Sequence, residues 1–458
     1  MSVEYKVENP ATGQVEATYP LATDAQVGEA IARTHGAFPD WSATPLEDRV
    51  KVIHRVADLY QERLEELAAI IVREMGKTLA EAKDEVEYVV AIYRYYADLA
   101  PELLADEPLP TDGGGRAVVR KTPVGALLGI MPWNYPYYQV ARFAGPNLLA
   151  GNTVILKHAP QCPESALAME RLFHDAGVPV DAYVNLFASN EQVAALIADP
   201  RVRGVSVTGS ERAGAAVAAL AGQHLKKVVL ELGGSDPYLV LDTDDLPSVV
   251  EQCVAARMEN AGQACNAAKR FLVSDHLYDD FVEQLTARMA SLATGDPFDP
   301  ATAYGPLCSR AALANLAAQV DDAVAKGATV RTGGKPLDGP GAYFPATVLT
   351  DVTPEMRAFG EELFGPVAVV YRVGSVDEAV ELANGSAYGL GGAVFHTDPV
   401  VALDVANRLD TGMVWINEAE GGGPELPFGG TKRSGVGREL GPYGIEEFLN
   451  KKLIHLPD

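Results

Sequence analysis

Apolar residues recur at helical spacing through most of the first hundred residues. This pattern predicts helices over 24–37, 47–74 and 79–99, with charged side chains on the face opposite the apolar stripe. After residue 115 the apolar runs become shorter, and strands alternate with helices. The predicted strands cover 118–119, 126–130, 153–157, 183–187, 205–208, 228–230 and 238–241, with helices over 165–176, 191–198 and 213–220 between them.

Strands that alternate with helices at this spacing are typical of a parallel sheet with crossover helices, so we expect a doubly wound α/β fold. A second alternating section runs from about 246 to 395, with helices over 248–259 and 278–292 and strands over 367–371 and 393–395. Ligands of such folds bind beyond the carboxyl ends of the strands. Asn134, Lys157 and the pair Gly209 and Ser210 each lie at or just after the end of a predicted strand, so they are candidate site residues.

The last residues, 451–456, form a separate run that predicts a final strand with no local partner. Such a terminal strand usually pairs elsewhere, often on a neighbouring subunit. We therefore expect it to take part in contacts between subunits.

Composition limits the classes of function. A chain of 458 residues exceeds one compact core and predicts two or three subdomains. The formal net charge of −25 repels nucleic acid and anionic membranes, so neither is an expected partner, and an anionic substrate would need a local cation.

Four scattered cysteines and eight scattered histidines lack disulfide or metal-ligand spacing, so we expect no metal. The start of the chain lacks a signal-peptide pattern, which predicts a cytoplasmic protein.

Three residues carry candidate chemistry at the ends of predicted elements. Cys265 follows a helix in a turn where a thiol is open to attack, although a lone cysteine is more often a small buried hydrophobe. Glu231 ends a strand before two glycines and is a candidate general base, the alternative being a surface carboxylate beside a turn. Asn134 lies between two prolines and would suit an oxyanion hole, although turn asparagines are commoner.

Gly209, Ser210 and Gly214 lie where a predicted helix opens after a strand. Glycine at such a place lets a pyrophosphate approach the helix N-terminus. The segment lacks the GxGxxG fingerprint, so by itself it indicates a dinucleotide only weakly.

Taken together, these segments resemble one family, the aldehyde dehydrogenase superfamily, over essentially the whole chain. The resemblance rests on six ordered motifs: PWNYP at 132–136, TGSERAG at 208–214, ELGG at 231–234, GQAC at 262–265, EELFGPV at 361–367 and PFGGTKRSG at 427–435. It implies a Rossmann-type cofactor domain at 1–100 and 124–232, an α/β catalytic domain at 233–446, and a small β oligomerisation element at 101–123 and 447–458. It also implies a homodimer or homotetramer.

The resemblance implies a role for each matching residue. Cys265 is expected to be the nucleophile, the Asn134 side chain and the Cys265 backbone N–H to hold the oxyanion, and Glu231 to activate the water that hydrolyses a thioester. The residues expected to contact NAD or NADP are Trp133, Lys157, Pro160, Gly209, Ser210, Gly233, Glu362 and Phe364. The implied reaction is oxidation of an aldehyde to a carboxylate.

Within this family the chain resembles the shorter bacterial succinate-semialdehyde dehydrogenases, through LLGIMPWNYPYYQVARF at 127–143, ILKHAP at 155–160 and AAKRF at 267–271. Arg142 lies two helical turns after Asn134 in an aromatic segment. We expect it to bind the substrate carboxylate bidentately rather than to be a solvated surface arginine. Tyr138 and Phe428 are the other expected substrate contacts.

One departure from this subfamily lies just before the PFGG motif. The subfamily usually carries a serine and an arginine that help to hold the substrate acid, where this chain has Gly422 and Glu425. Another aliphatic or aromatic aldehyde is therefore an alternative substrate.

The choice of cofactor depends on a carboxylate that binds the adenosine ribose and repels a 2′-phosphate in NAD-selective dehydrogenases. In this family it lies three residues after the lysine at 157, where this chain has Pro160. Glu211 would oppose a phosphate if it turned inward. We expect both NAD and NADP to be used, with a modest preference whose direction stays open.

Three other classes of function compete with a dehydrogenase. A cysteine hydrolase needs a histidine base, and no histidine falls within the motifs. An acylating enzyme that uses coenzyme A would lack Glu231, and a non-catalytic cofactor-binding homologue would have lost Cys265 or Asn134. The presence of all three residues favours the dehydrogenase.

Overall fold

The computed structural model describes residues 4–419 and 421–457, so residues 1–3 and 458 of the predicted domains and Glu420 of the segment before PFGG lie outside the described residues. The helices are α1 Asp24–Ala43, α2 Leu46–Glu62, α3 Leu64–Met75, α4 Leu79–Leu103, α5 Tyr138–Ala150, α6 Pro163–Asp175, α7 Asn190–Ala198, α8 Glu211–Gln223, α9 Leu246–Met258, α10 Asp275–Ala290, α11 Arg310–Ala325, α12 Arg357–Gly360, α13 Val376–Asn384, α14 Pro399–Arg408 and α15 Gly441–Glu446, with a 3₁₀ turn at Glu259–Gly262. The strands are β1 Tyr5–Asn9, β2 Gln14–Tyr19, β3 Glu107–Leu109, β4 Arg116–Pro123, β5 Ala126–Met131, β6 Thr153–His158, β7 Tyr183–Asn185, β8 Val202–Thr208, β9 Lys227–Glu231, β10 Asp236–Val240, β11 Ala268–Ser274, β12 Thr329–Thr332, β13 Thr347–Thr350, β14 Val367–Val373, β15 Tyr388–Gly389, β16 Ala393–Phe395, β17 Trp415–Ile416, β18 Thr431–Lys432, β19 Gly435–Val436 and β20 Leu449–Leu456.

The first large sheet has the strand order β19-β9-β8-β5-β6-β7. The five strands from β9 to β7 are parallel to one another, and only β19, at the edge, pairs antiparallel. β5 and β6 are buried nearly throughout because apolar clusters cover both faces of the sheet. The carboxyl ends of β5, β6, β8 and β9 therefore meet at one edge, which positions the residues that follow them.

The second large sheet has the order β12-β13-β14-β11-β10-β16-β17 and is parallel except for β12. Two further apolar clusters cover its faces. The doubly wound α/β expectation is therefore confirmed. β19 lies beyond residue 232 but pairs with β9, so one short strand crosses between the two predicted domains; the domain boundaries themselves stay a prediction.

One predicted helix is two helices in the structure. The apolar pattern over 47–74 gave a single helix, but the backbone leaves helical geometry at Arg63, with φ −106° and ψ 17°. The break has a packing reason, because α2 and α3 both pack on α4 and α6, but α2 also packs against α5 whereas α3 packs against β1. Two apolar faces with different directions cannot be buried by one straight helix.

The final strand has a partner within its own chain, and its expected part in contacts between subunits stays a prediction. β20 pairs antiparallel with β4 of its own chain, from Leu449 opposite Pro123 to Leu456 opposite Arg116, in a three-stranded sheet ordered β20-β4-β3. Its partner is distant in sequence, so the sequence pattern alone left the strand unpaired. β20 still forms an edge of this sheet, and Leu453 and Leu456 are exposed there.

Candidate active site

Cys265 lies in the turn between the 3₁₀ segment Glu259–Gly262 and β11. It is partly exposed and lines a cavity of about 420 Å³, whereas the other three cysteines are buried. Burial raises the pKa of the Cys265 thiol to about 12, and the positive charges of Arg142 and Lys269 oppose that rise. The thiol is therefore largely protonated at neutral pH unless a base or a change in local charge removes the proton.

Asn134 follows β5 and is held against the turn that carries Cys265. Its side-chain Nδ2 donates to the Gln263 carbonyl at 3.0 Å, and Asn260 Nδ2 donates to the Asn134 carbonyl at 2.9 Å. Asn260 has a left-handed backbone with φ 49°, and its N–H is held by Glu81 at 2.7 Å. Strained backbone of this kind is retained where surrounding contacts fix it, and here the contacts fix the Asn134 amide against the turn that carries the thiol.

Glu231 is the last residue of β9, and its side chain is buried. Neither carboxyl oxygen has a hydrogen-bond partner among the described residues. Burial raises the pKa of Glu231 well above its usual range, and the Arg142 charge opposes that rise. A buried carboxyl group with both oxygens free is suited to bind and deprotonate a water molecule.

The predicted cofactor residues lie at the carboxyl edge of the first sheet. Lys157, near the end of β6, is largely buried, and burial lowers its pKa to about 8. Its ammonium lies 5.7 Å from the Tyr5 ring, and no hydrogen-bond acceptor contacts it among the described residues. Because a buried ammonium without an acceptor is costly, the hydroxyl groups of a cofactor ribose would satisfy it.

The segment after β8 fits a pyrophosphate. Gly209 has open space where a Cβ would stand, and Ser210 caps the thirteen-residue helix α8 by accepting from the Ala213 N–H. This combination of open backbone and helix N-terminus accommodates an anion. Glu211, the acid that could oppose a 2′-phosphate, is instead bound by Tyr388 and Arg433.

The remaining predicted cofactor contacts come from two loops. The rings of Trp133 and Phe364 meet edge to face at 5.6 Å. Glu362 accepts from the Gly234 N–H at 3.0 Å, and a Cβ at Gly233 would approach Glu362 Oε2 to 2.5 Å. The carbonyl of Pro160 accepts from the Lys6 N–H, and its ring leaves no carboxylate at that position. These residues thus fit a dinucleotide, with no carboxylate at the place of Pro160 to bind the adenosine ribose.

Arg142 is neither a solvated arginine nor an uncompensated cation. It is 1% exposed, and its guanidinium lies 4.6 Å from the Tyr138 ring and 4.5 Å from the Phe428 ring. Its Nε pairs with Glu439 at 2.8 Å, and its Nη1 donates to the Tyr138 hydroxyl at 3.3 Å. Tyr138 and Phe428 line the cavity, whereas Arg142 stands behind them. Arg142 can therefore bind a substrate carboxylate only by way of Tyr138 or by giving up its contacts with Glu439 and the two rings.

The cavity wall is aromatic and acidic. Its aromatic lining is Tyr88, Tyr135, Tyr138, Trp415 and Phe428, and its acidic lining is Glu81, Asp84, Glu85 and Glu259. Glu85 is neutralised by the buried Lys77 at 2.7 Å. Gly422 lies on the wall among the described residues, whereas Glu425 is exposed and does not line it.

Sequence reasoning missed the residues that hold this site together. Lys269 donates to the Cys265 carbonyl at 2.7 Å, and Glu439 pairs with Arg142. Lys269 stands in the AAKRF segment, where a basic pair interrupts an otherwise apolar strand, and that interruption was an available signal. Glu439 lies after the PFGG motif, and no local pattern there distinguishes it from a surface acid. Only its burial in the structure identifies it.

The comparisons with known proteins identify the family of this chain. The sequence profile described as "Aldehyde dehydrogenase family" matches residues 2–454. The chain belongs to the aldehyde dehydrogenase family and is an enzyme of the oxidoreductase class, as the motifs predicted.

The chain is most informatively compared with individual relatives of known name. The chain is 55% identical to the succinate-semialdehyde dehydrogenase [NADP(+)] of Deinococcus radiodurans, over 97% of this chain and 93% of that protein. It is 46% identical to the protein of the same name from Mycobacterium avium, over 97% and 95%. The crystal structure of succinic semialdehyde dehydrogenase from Streptococcus pyogenes in complex with NADP+ superposes with a TM-score of 0.97 at 41% identity, covering 99% of this chain and all of that one. In the part of the chain that the structure describes, no helix has the length and apolar character needed to cross a membrane.

Proposed function

We propose that this protein oxidises succinate semialdehyde to succinate, with NADP+ or NAD+ as the hydride acceptor. The observation that carries the proposal is the set of groups around the Cys265 thiol, which lines the cavity: the Asn134 amide binds the turn that carries Cys265, and the charge of the buried, unpaired Glu231 carboxyl group acts on the thiol. The choice of succinate semialdehyde is supported by the names of the relatives at 46% and 55% identity.

Residues of the chain carry out every step of the reaction except hydride acceptance. The Cys265 thiolate attacks the aldehyde carbon, and the Asn134 side chain and the Cys265 N–H stabilise the oxygen as it becomes negative. The bound nicotinamide supplies the chemistry of hydride acceptance, which leaves a thioester on Cys265. Glu231 then takes a proton from water, the water oxygen bonds to the acyl carbon, and the Cys265–carbon bond breaks to release the acid.

The Tyr138 hydroxyl supplies a hydrogen-bond donor for the substrate carboxylate. That oxygen accepts from Arg142, so its own proton is available to a ligand in the cavity that Tyr138 lines. A hydroxyl polarised by a buried guanidinium is a stronger donor than one in water. Arg142 then acts on the substrate through Tyr138.

A second candidate substrate class is an uncharged aldehyde with an aromatic or aliphatic tail. It is favoured by the cavity wall, which presents aromatic rings and carboxylates but no lysine or arginine among the described lining residues. An uncharged tail would avoid repulsion from Asp84 and Glu259.

We propose NADP+ as the preferred cofactor, with NAD+ also used. Three features support this proposal. Pro160 stands where an acid would repel a 2′-phosphate, Lys157 supplies nearby positive charge, and Glu211 is neutralised by Arg433. The relatives from Deinococcus and Mycobacterium are named for NADP(+) as well.

The proposal includes a homodimer or homotetramer in the cytoplasm, assembled through the sheet of β20, β4 and β3. The exposed leucines Leu453 and Leu456 on the edge strand support it, because apolar edge strands favour pairing with another chain.

One assay tests the function. The purified protein is mixed with succinate semialdehyde, butanal or benzaldehyde and either cofactor, with and without coenzyme A, and reduced cofactor is followed by absorbance. We expect oxidation that does not require coenzyme A and a higher kcat/KM for succinate semialdehyde than for butanal. Dependence on coenzyme A would indicate the acylating class, binding of cofactor without any turnover would indicate a non-catalytic homologue, and a higher kcat/KM for butanal would favour the second substrate class.

A further inference from the structure

Lys269 is a buried cation directly beneath the nucleophile. Its side chain is 2% exposed, and its Nζ donates to the Cys265 carbonyl at 2.7 Å and to the Ala264 carbonyl at 3.0 Å. The same nitrogen lies 3.4 Å from Glu362 Oε1. The three donors of this ammonium are thus shared between the backbone of the nucleophile turn and one carboxylate.

Glu362 connects this lysine to the opposite wall of the site. Besides its pair with Lys269, the carboxylate accepts from the Gly234 N–H at 3.0 Å and lies against Gly233. Gly234 in turn adjoins the Cys265 carbonyl so closely that a Cβ there would approach the oxygen to 2.3 Å. Lys269, Glu362 and the two glycines therefore enclose the Cys265 carbonyl from both sides.

We propose that Lys269 is a positioning residue that joins the turn of Cys265 to Glu362, so that cofactor binding at Glu362 and the reactivity of the thiol depend on each other. The inference rests on the proposed function, in which Cys265 is the nucleophile and Glu362 binds a cofactor ribose. Lys269 holds the Glu362 carboxylate in the position at which ribose hydroxyls would donate to it. The same ammonium is bound to the Cys265 carbonyl, so its charge also stabilises the thiolate.

The charges of Lys269 and Glu362 act on the Cys265 thiol in opposite directions, which a purely steric role would not produce. The charged groups that act on Cys265 or Lys269 are Arg142, Glu231, Asp236, Arg257 and Glu362. The charge of Lys269 lowers the pKa of the Cys265 thiol, whereas the charge of Glu362 raises it. Removal of the lysine and removal of the carboxylate should therefore change thiol reactivity in opposite directions, while both weaken cofactor binding.

The test uses thiol alkylation and cofactor binding, neither of which requires an aldehyde. Iodoacetamide labelling of Cys265 is followed by intact mass over a pH series without cofactor, and NADPH affinity is measured by fluorescence. The variants are Lys269→Met, Glu362→Gln and the double variant, with Cys265→Ser to establish the labelled site. Lys226→Met is the matched control, because Lys226 also donates to a backbone carbonyl, that of Asp199, but stands at the opposite end of β9.

We expect Lys269→Met to slow alkylation at neutral pH by about three- to tenfold, since the thiolate fraction falls tenfold for each unit of rise in thiol pKa. Glu362→Gln should speed alkylation, and the double variant should lie between the two. Both single variants should weaken NADPH binding, and the double variant should weaken it by less than the product of their factors, because the residues act as one unit. Lys226→Met should change neither quantity.

Alkylation that changes in the same direction in both single variants would overturn the inference, because it would indicate general loosening of the site. Unchanged alkylation in Lys269→Met would overturn it as well. If Lys269→Met does not fold, Glu362→Gln decides alone: faster alkylation with weaker NADPH binding supports the link, and any other result rejects it. Failure of the wild-type protein to oxidise any aldehyde would instead refute the proposed function.

Discussion

The buried pair of Arg142 and Glu439 offers a sharp test of how the substrate acid is recognised. Both side chains are at most 5% exposed, and Arg142 Nε lies 2.8 Å from Glu439 Oε2. The perturbations are Arg142→Met, which keeps an unbranched side chain between the Tyr138 and Phe428 rings, and Glu439→Gln, which removes the competing charge. The double variant removes the ion pair altogether.

The expected stability changes follow from the cost of an unpaired buried charge. Arg142→Met leaves the Glu439 carboxylate without its cation, so we expect a loss of about 3–5 kcal/mol in the free energy of unfolding. Replacing both partners removes that penalty, so the double variant should be more stable than Arg142→Met alone. Urea denaturation of the four proteins measures these differences.

The expected kinetic changes follow from competition for the guanidinium. Glu439→Gln frees Arg142 to polarise Tyr138 and to attract the substrate carboxylate, so kcat/KM for succinate semialdehyde should rise relative to butanal. Arg142→Met should lower the same ratio by about ten- to a hundredfold, because a charge-assisted hydrogen bond contributes about 1.5–3 kcal/mol. The ratio of the two substrates cancels effects on steps that they share, including any change at Glu231. Tyr138→Phe should lower the ratio as Arg142→Met does, if the hydroxyl delivers the effect.

Two results would refute this reasoning. If Arg142→Met changed kcat/KM for both aldehydes by the same factor, Arg142 would be a structural residue only. If Glu439→Gln lowered the ratio, Glu439 would not be a competitor for the guanidinium.

Four further predictions concern the nucleophile, the base, the pH dependence of the rate and the cofactor site. Cys265→Ser should abolish dehydrogenase turnover while NADPH binding persists, because the hydroxyl is far less nucleophilic than the thiolate; more than a few per cent of wild-type turnover would contradict the assignment. Glu231→Gln should give one burst of reduced cofactor and then stall as a thioester visible by intact mass on Cys265; normal steady turnover without an adduct would show that another base is used. In the wild-type enzyme the rate should rise with pH, since burial raises the pKa of both Cys265 and Glu231 and the deprotonated forms are the reactive ones; a rate that falls between neutral and mildly alkaline pH would oppose this. Pro160→Glu should shift kcat/KM from NADP+ toward NAD+, because it adds the carboxylate that repels a 2′-phosphate; an unchanged ratio of the two cofactors would exclude this position from cofactor choice.

The local pattern of apolar and polar residues predicts much of the fold of this protein without any knowledge of its tertiary contacts. The alternation of strands and helices predicted the doubly wound α/β fold, because hydrophobic period and turn residues act over a few positions and do not need distant partners. The motifs around Cys265, Glu231 and Asn134 likewise stand at the ends of elements that the pattern predicted, and parallel topology brings such ends together. Family and candidate chemistry were therefore accessible from the chain alone, and the comparisons confirmed the family.

Only the tertiary structure decided the partners of charged and edge groups. The pairing of Arg142 with Glu439 and of Lys269 with Glu362 joins residues separated by hundreds or tens of positions, and no local period encodes such a contact. The same holds for β20, whose partner β4 lies more than three hundred residues earlier in the chain. Whether a charge is exposed, neutralised or available to a ligand depends on burial and on distant neighbours, so the sequence identified these side chains as charged while the fold determined what each charge contacts.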